Sequence, residues 1–533
     1  MHNYSSEIKT RLDIEEKYRD RLFTGAYLLS DKVIPKQNDY PFYNQWKLST
    51  FNQYQLITHP LLNVYQKSIN DYSIFLVGHA YNPFSDEIDE EIIADELLGC
   101  YAKNRELFFD KLDELTGVFV IIIISSQEVF AVQDPGGQRL LYFGKVNNSL
   151  IVTSVPQLIE DLYGIHRDED VLRLLSSKGY YRGSGFLPGN KSPYRELKRL
   201  GPNTYLRINN RAFQINRFFP RNDRVELQSE TDKESVINRM HDIFSKNIEL
   251  SLKKWKKVGL SLTGGMDSKT TFANAKPCYS QLYVFSYISK ESERIDAEAA
   301  KRICDSVNVE HHLYNIPEQS DRIEDYEFLQ KIIEHNTSYT CKLHPNEKRK
   351  YIWLQRCNDF DVEMKSDISE IGRAYTNRKF YKVKMPRKLR PRHLTIGQAR
   401  YFLEPWCMKY ADNSYQEFMD DTGLTDDIFG YSMHDLAYWE VRMGLWASTS
   451  LASQEYIHDI TIPYNNRKLL ELFLSFPETD RLQDIPHQRL MDIGNPVVRF
   501  ANPPVKDSYF DKKRMMVETA YYYYATRFIY NKK

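Results

Sequence analysis

Ser261-Leu262-Thr263-Gly264-Gly265-Met266-Asp267-Ser268-Lys269 is the stretch that decides the fold. An apolar, strand-like run over 258–262 leads into it, and a helical pattern begins near Ser268. A strand that ends in two glycines and hands over to a helix suits an anion. Bare glycine N–H groups approach a phosphate closely, and the helix N-terminus is electropositive. Thr263 and Ser268 add hydroxyl donors, and Asp267 is a natural Mg²⁺ ligand beside bound phosphates. The plainer alternative is a glycine turn with Ser268 as helix cap. The position after the first strand of a βαβ unit favours phosphate. The pattern is neither a Walker A loop nor a G-x-G-x-x-G dinucleotide fingerprint.

Downstream, 282–288 reads as a strand, 295–307 as a helix and 312–316 as a short strand. Upstream, 232–255 is an amphipathic helix with Val236, Ile237, Met240, Ile243, Phe244, Ile248 and Leu252 on one stripe. This alternation predicts a parallel, doubly wound sheet, followed by a mostly helical remainder to about residue 530. Before residue 220 the pattern differs. Helical spacing over 88–115 is followed by strand-like runs at 117–125, 128–133, 139–144 and 149–154, with more near 198–219. Such spacing predicts an antiparallel sheet. Asp134-Pro135-Gly136-Gly137 is a turn, since proline presets φ and glycine accepts positive φ. Phe219-Pro220-Arg221-Asn222-Asp223-Arg224 reads as a linker, dividing the chain into 1–220 and 221–533. Residues 1–70 are polar and aromatic and do not resolve into elements; a short apolar run follows at 74–77.

The chain has 533 residues, with Lys+Arg and Asp+Glu both 72, so the net charge is zero. That argues against a surface devoted to nucleic acid. Hydrophobic content of 42% and charged content of 27% suit a globular chain with a large core. The 22 glycines form two Gly-Gly pairs, Gly136-Gly137 and Gly264-Gly265, which makes each pair a place to look. The longest apolar run, 118–124, falls far short of the roughly 20 residues that span a bilayer. The N-terminus lacks the basic-then-apolar order of a signal peptide. Six scattered cysteines give no zinc or disulfide framework. A cytoplasmic location with no membrane partner is expected.

The 261–269 loop resembles the S-G-G-x-D-S pyrophosphate loop of the N-type ATP pyrophosphatases, with Thr263 for the first serine. Leu115-Thr116-Gly117-Val118-Phe119 and Asp134-Pro135-Gly136-Gly137-Gln138-Arg139-Leu140-Leu141-Tyr142-Phe143-Gly144 resemble the amidotransferase domain of asparagine synthetase, within that class. Leu200-Gly201-Pro202-Asn203, Phe285-Ser286-Tyr287-Ile288 with Asp296-Ala297, and Ile462-Pro463-Tyr464-Asn465-Asn466-Arg467 fit the same family in order, over roughly 70–510. The resemblance implies an α/β protein. An N-terminal-nucleophile-hydrolase-like αββα sandwich would precede a parallel-sheet domain of the adenine-nucleotide α-hydrolase type with helical additions. It also implies ATP- and Mg²⁺-dependent amide formation through an acyl-adenylate, releasing AMP and pyrophosphate. The nucleotide would meet Leu262, Thr263, Gly264, Gly265, Asp267, Ser268 and Ser286.

Two departures matter. Glutamine-hydrolysing members carry a cysteine directly after the initiator methionine; here residue 2 is His2, and no cysteine precedes Cys100. Glutaminase activity is therefore not expected, and the amine comes from solution, from a separate ammonia donor, or from the substrate itself. The β-lactam and lasso-peptide macrolactam synthetases are relatives of that last kind. The family's G-S-D-E-x-F-G-G-Y is matched only loosely by Ser366-Asp367-Ile368-Ser369-Glu370-Ile371-Gly372-Arg373-Ala374-Tyr375. Either Asp367 or Glu370, with Glu370 favoured, would complete Mg²⁺ binding opposite Asp267. Tyr375 and Glu440, in Tyr438-Trp439-Glu440-Val441-Arg442, would position the amine, and Lys506 would stabilise negative charge in the transition states. Arg373 adds a charge the family does not usually place there and could meet an acidic substrate. The carboxylate substrate is a small molecule or peptide. The alternatives are an ammonia-dependent asparagine synthetase, a tRNA-modifying enzyme of the same loop class using the basic stretch 378–392, and a non-catalytic nucleotide-binding scaffold.

Overall fold

The computed structural model describes residues 5–36, 39, 41–182, 185–380, 388–398, 404–501 and 509–528. The first 217 residues supply twelve described strands: β1 Tyr27–Ser30, β2 Lys47–Phe51, β3 Tyr54–Thr58, β4 Val64–Ile69, β5 Tyr72–Tyr81, β6 Thr116–Ile124, β7 Glu128–Gln133, β8 Tyr142–Val146, β9 Ser149–Thr153, β10 Leu197–Arg199, β11 Thr204–Asn209 and β12 Ala212–Arg217. They form two six-stranded sheets, ordered β10-β8-β9-β1-β3-β2 and β12-β11-β7-β6-β5-β4. Every pairing in both is antiparallel.

The two sheets share an apolar layer that includes Leu29, Leu56, Phe75, Val77, Val120, Ile122 and Val152. Helices Glu90–Lys103 and Arg105–Glu114 cover the outer face of the β5–β6 sheet through Ile93, Leu97, Phe108 and Leu112. Helices Ser5–Ile14 and Pro156–Tyr163 cover the other sheet through Ile8, Leu12, Leu158 and Leu162, joined by Leu329 and Ile332 of the distant helix Tyr326–Asn336. The result is the expected αββα sandwich. All nine residues of β6 are buried, as a β-branched strand covered on both faces must be.

Three boundaries differ from the sequence expectation for local reasons. The single helical pattern over 88–115 is two helices, because the Asn104 side chain caps the second by accepting from the Glu106 N–H. β8 starts at Tyr142 rather than near Arg139, because the Gln138 and Arg139 N–H groups are turned onto the Asp134 carboxylate. The unread residues 1–70 contain β1 to β4. They escaped notice because they are short and three of them are partly exposed.

Beyond the helix Glu230–Lys254 come β13 Val258–Ser261, β14 Leu282–Ile288, β15 His312–Asn315, β16 Val362–Met364 and β17 Asp459–Thr461. They form one parallel sheet, ordered β15-β14-β13-β16-β17. The chain runs outward from β13 to β15 on one side, then returns to β16 on the other. The crevice beyond the carboxyl ends of β13 and β16 is therefore the switch point at which such sheets bind ligands. Among the described residues no helix is long and apolar enough to cross a membrane.

Candidate active site

The switch point brings together the two segments singled out in the sequence. The loop after β13 leads into helix Met266–Asn274, and the turn after β16 contains Ser369–Arg373. The loop holds its own shape. The Thr263 and Ser268 hydroxyls lie 2.9 Å apart, and Ser268 Oγ donates to the Thr263 carbonyl at 3.2 Å. The Gly265 N–H donates to Thr263 Oγ1 at 3.1 Å. Ser268 thus braces the loop from inside and does not cap the helix, whose N-cap is Gly265, with no side-chain cap bond. An uncapped N-terminus in an exposed loop is what a phosphate group requires. Ser286, on β14, donates to the Leu262 carbonyl at 2.6 Å and lies 2.9 Å from His311 Nε2. His311 therefore borders the loop. Asp296 accepts from the Gly264 backbone; burial raises its pKa and that N–H partly offsets the rise.

Across the crevice, Asp267 meets the β16 turn. Ser369 Oγ donates to Asp267 Oδ1, and Thr271 Oγ1 lies 2.7 Å from Ser366 Oγ. Aligning Glu370 with the glutamate of the family pattern puts Ser369 where that pattern has aspartate. Glu370 is half-buried, and Tyr438 Oη donates to it at 2.5 Å. Burial raises the Glu370 pKa, and the nearby Asp267 charge raises it further. The Tyr375 ring lies 4.9 Å from that of Tyr438, so Tyr375, Tyr438 and Glu370 form one group. Asp367 is exposed.

The turn is held from behind by the sandwich. Ile368 is fully buried with φ of +76°, an uncommon backbone state for a β-branched residue. A Cβ built on Gly136 would lie 2.5 Å from Ile368 Cδ1. The bare Gly136 backbone therefore lets Ile368 seat without shifting.

The site residues expected from sequence do not all converge. Leu262, Thr263, Gly264, Gly265, Asp267, Ser268, Ser286, Glu370 and Tyr375 do. Glu440 does not. It is fully buried and bound by Arg217 of β12, at 2.6 Å from Nη1 to Oε1 and 2.8 Å from Nη2 to Oε2, with Asn203 donating at 3.2 Å. Two residues along a helix point to nearly opposite faces, so Tyr438 faces Glu370 while Glu440 faces the sandwich. The wide π-helical stretch Tyr438–Ala447 starts here, a feature frequent at functional sites. Tyr438, adjacent in the quoted stretch, is the residue the sequence reading passed over. Lys506 lies outside the described residues, as does most of the basic stretch between Arg378 and Lys388. Arg378 itself is bound to Asp484 at 2.6 and 2.8 Å, so at that position the charge is used within the fold.

The phosphate expectation fits the uncapped loop. The metal pair Asp267 and Glu370 does not fit as arranged. Arg373 Nη1 contacts both Asp267 oxygens, at 3.0 and 2.8 Å. Among the described residues, no three His, Cys, Asp or Glu side chains are grouped to hold a metal ion.

Comparison with known proteins finds a likeness in the segment that carries this loop. The asparagine synthase family model matches residues 240–339, which include the loop, β14 and β15. Glutamine-hydrolysing asparagine synthetase 1 of Bacillus subtilis strain 168 is 22% identical over 238 residues, 44% of this chain. That match spans 35% of the relative's length. Two solved structures are also similar. The allosteric regulatory enzyme of purine biosynthesis has 11% identity, covering 65% of this chain and 92% of its own, with a TM-score of 0.24. Glutamine phosphoribosylpyrophosphate amidotransferase from B. subtilis, complexed with ADP and GMP, has 10% identity, covering 70% and 74%, with a TM-score of 0.22. Likenesses that distant carry no weight for function. The chain is asparagine synthetase-like in its parallel-sheet region.

Proposed function

We propose that this asparagine synthetase-like chain is an ATP-dependent ligase that forms a carbon–nitrogen bond, activating a small-molecule or peptide carboxylate as an acyl-adenylate with release of AMP and pyrophosphate. One observation carries the reading: the uncapped helix N-terminus after Gly264-Gly265 opens at the sheet's switch point, facing Glu370, Tyr438 and Tyr375. ATP supplies the adenylate that makes the carboxylate reactive. The residues of the chain do the rest. The free N–H groups at the helix N-terminus after Gly265 and the exposed Thr263 hydroxyl hold the pyrophosphate, with Ser268 bracing the loop from behind. Glu370, with its raised pKa and its bond to Tyr438, is suited to take a proton from an incoming amine. Tyr375 walls the amine side. Lys506 stays in this proposal as a source of positive charge, on sequence grounds alone.

Glutamine hydrolysis is left out of the proposal. No cysteine precedes Cys100, which lies on the covering helix Glu90–Lys103, and β1 carries none. The amine is then free ammonia, ammonia from a separate donor, or an amine on the substrate. We also propose the division at 220/221 as a domain boundary and a cytoplasmic location.

ATP–pyrophosphate exchange across a panel of carboxylates, aspartate with ammonium among them, tests the reading. Exchange stimulated by one acid class supports it and names the substrate. No stimulation by any acid, together with no rise in melting temperature on adding ATP, overturns it. ATP at 100 times its Kd should stabilise the fold by about 2.7 kcal/mol.

A further inference from the structure

Asp267 is the carboxylate on which metal binding would rest, and the protein has already matched it. Arg373 Nη1 reaches both its oxygens, and the guanidinium is fixed on its other side: Nε donates to Asp484 Oδ1 at 2.8 Å and Nη2 to Oδ2 at 3.3 Å. Arg378 clasps Asp484 in turn. The four side chains form a row of alternating charge, Asp267–Arg373–Asp484–Arg378. The first three are only 24%, 14% and 12% exposed. Releasing the fork would leave shielded Asp267 without a cation and Asp484 with Arg378 alone. A divalent ion at the same carboxylate would be repelled by the guanidinium and would need oxygen ligands that this turn, with Ser369 beside Asp267, does not group together. Arginine is always charged and does not exchange as an ion does.

We propose that Arg373 is a built-in cation at the phosphate loop, taking the place on Asp267 that a divalent metal would occupy, so that the loop binds a pyrophosphate group without Mg²⁺. With Asp267 neutralised from within the chain, its charge no longer opposes an anion at the helix N-terminus. This rests on the reading of the loop as a phosphate site.

The test is calorimetric titration of the full chain with inorganic pyrophosphate, in EDTA and in excess Mg²⁺, for the wild type and Arg373→Met. The wild type should bind with affinities within about threefold of each other in the two conditions. Arg373→Met, which frees Asp267, should bind at least about tenfold more weakly in EDTA and recover in Mg²⁺. Mn²⁺ titration followed by electron paramagnetic resonance gives a second measure. The wild type should show no bound Mn²⁺ that Asp267→Asn removes, whereas Arg373→Met should gain one. Wild-type binding that requires Mg²⁺, or a wild-type Mn²⁺ site lost in Asp267→Asn, overturns the inference while leaving the phosphate loop in place. No pyrophosphate binding in either condition overturns the phosphate reading and the inference together. The wild-type arms decide the matter if Arg373→Met does not fold.

Discussion

The same dipeptide occurs twice in this glycine-poor chain and meets opposite fates. Gly136-Gly137 is sealed. Every residue from Asp134 to Arg139 is buried, and the Asp134 carboxylate accepts from the N–H groups of Gly136, Gln138 and Arg139 and from Asn465 Nδ2. Gly264-Gly265 is open. Thr263 and Gly265 are exposed, and a Cβ built on Gly265 would meet only Thr263 Oγ1, at 3.2 Å. The first loop is closed inside the protein, with its Asp134 carboxylate taken up by the loop's own N–H groups. The other keeps a helix N-terminus unfilled. The difference lies in what packs over each loop: Ile368 and Asn465 close the first, and the crevice between β13 and β16 leaves the second free. The two are linked, because Gly136 seats Ile368, which precedes the turn that meets Asp267. The sealed loop thus shapes the turn that faces the open one.

The comparison can be broken at several points. The largest effect should come from the seam between sandwich and parallel-sheet region. Arg217→Ala leaves fully buried Glu440 without its partner and should lower unfolding free energy by about 3–5 kcal/mol in urea titrations. A small loss there, with exchange activity abolished, would return Glu440 to the catalytic machinery. At the open loop, Asp267→Ala removes the anchor of Arg373 and Ser369. It should cut carboxylate-dependent exchange by about 10²–10³-fold at little cost in melting temperature.

Acid stability probes the sealed side. Burial alone would raise the Asp161 carboxyl, but His335 at 2.9 Å and Lys9 at 3.1 Å hold it at about 2. The folded value lies below the unfolded one of about 3.9, so the stabilisation is fully present above that pH and is lost as pH falls toward 2. Asp161→Asn should flatten the acid limb of the urea midpoint by roughly 2–3 kcal/mol.

The glycine pairs give the sharpest contrast. Gly136→Ala sets a methyl against Ile368 and should destabilise by about 1–3 kcal/mol, with exchange activity reduced through the displaced turn. Full activity in that variant would show that the loops are independent. Gly265, at φ −71° and ψ 155°, accepts alanine. Gly265→Ala should leave the melting temperature unchanged and weaken pyrophosphate binding about tenfold, the smallest effect in the series.

Much of this molecule was legible from windows of ten to twenty residues. The strand–glycine–helix junction at 258–274, the β14–β15 unit, the β6–β7 hairpin and the Asp134 turn each carry their signal locally, in side-chain period and turn chemistry. Those signals were enough for the two sheet types, their order and the strand–loop–helix junction at Gly264-Gly265. Local sequence could not show which charge answers which. Glu440 sits two residues from Arg442 and beside tyrosine and tryptophan, yet its partner is Arg217, 223 residues away. Arg373 looked free to meet a substrate, yet it lies on Asp267, 106 residues away, with Asp484 behind it. Burial decides such pairings: a charge drawn out of water must find its complement wherever packing brings one, and only the tertiary structure sets that place.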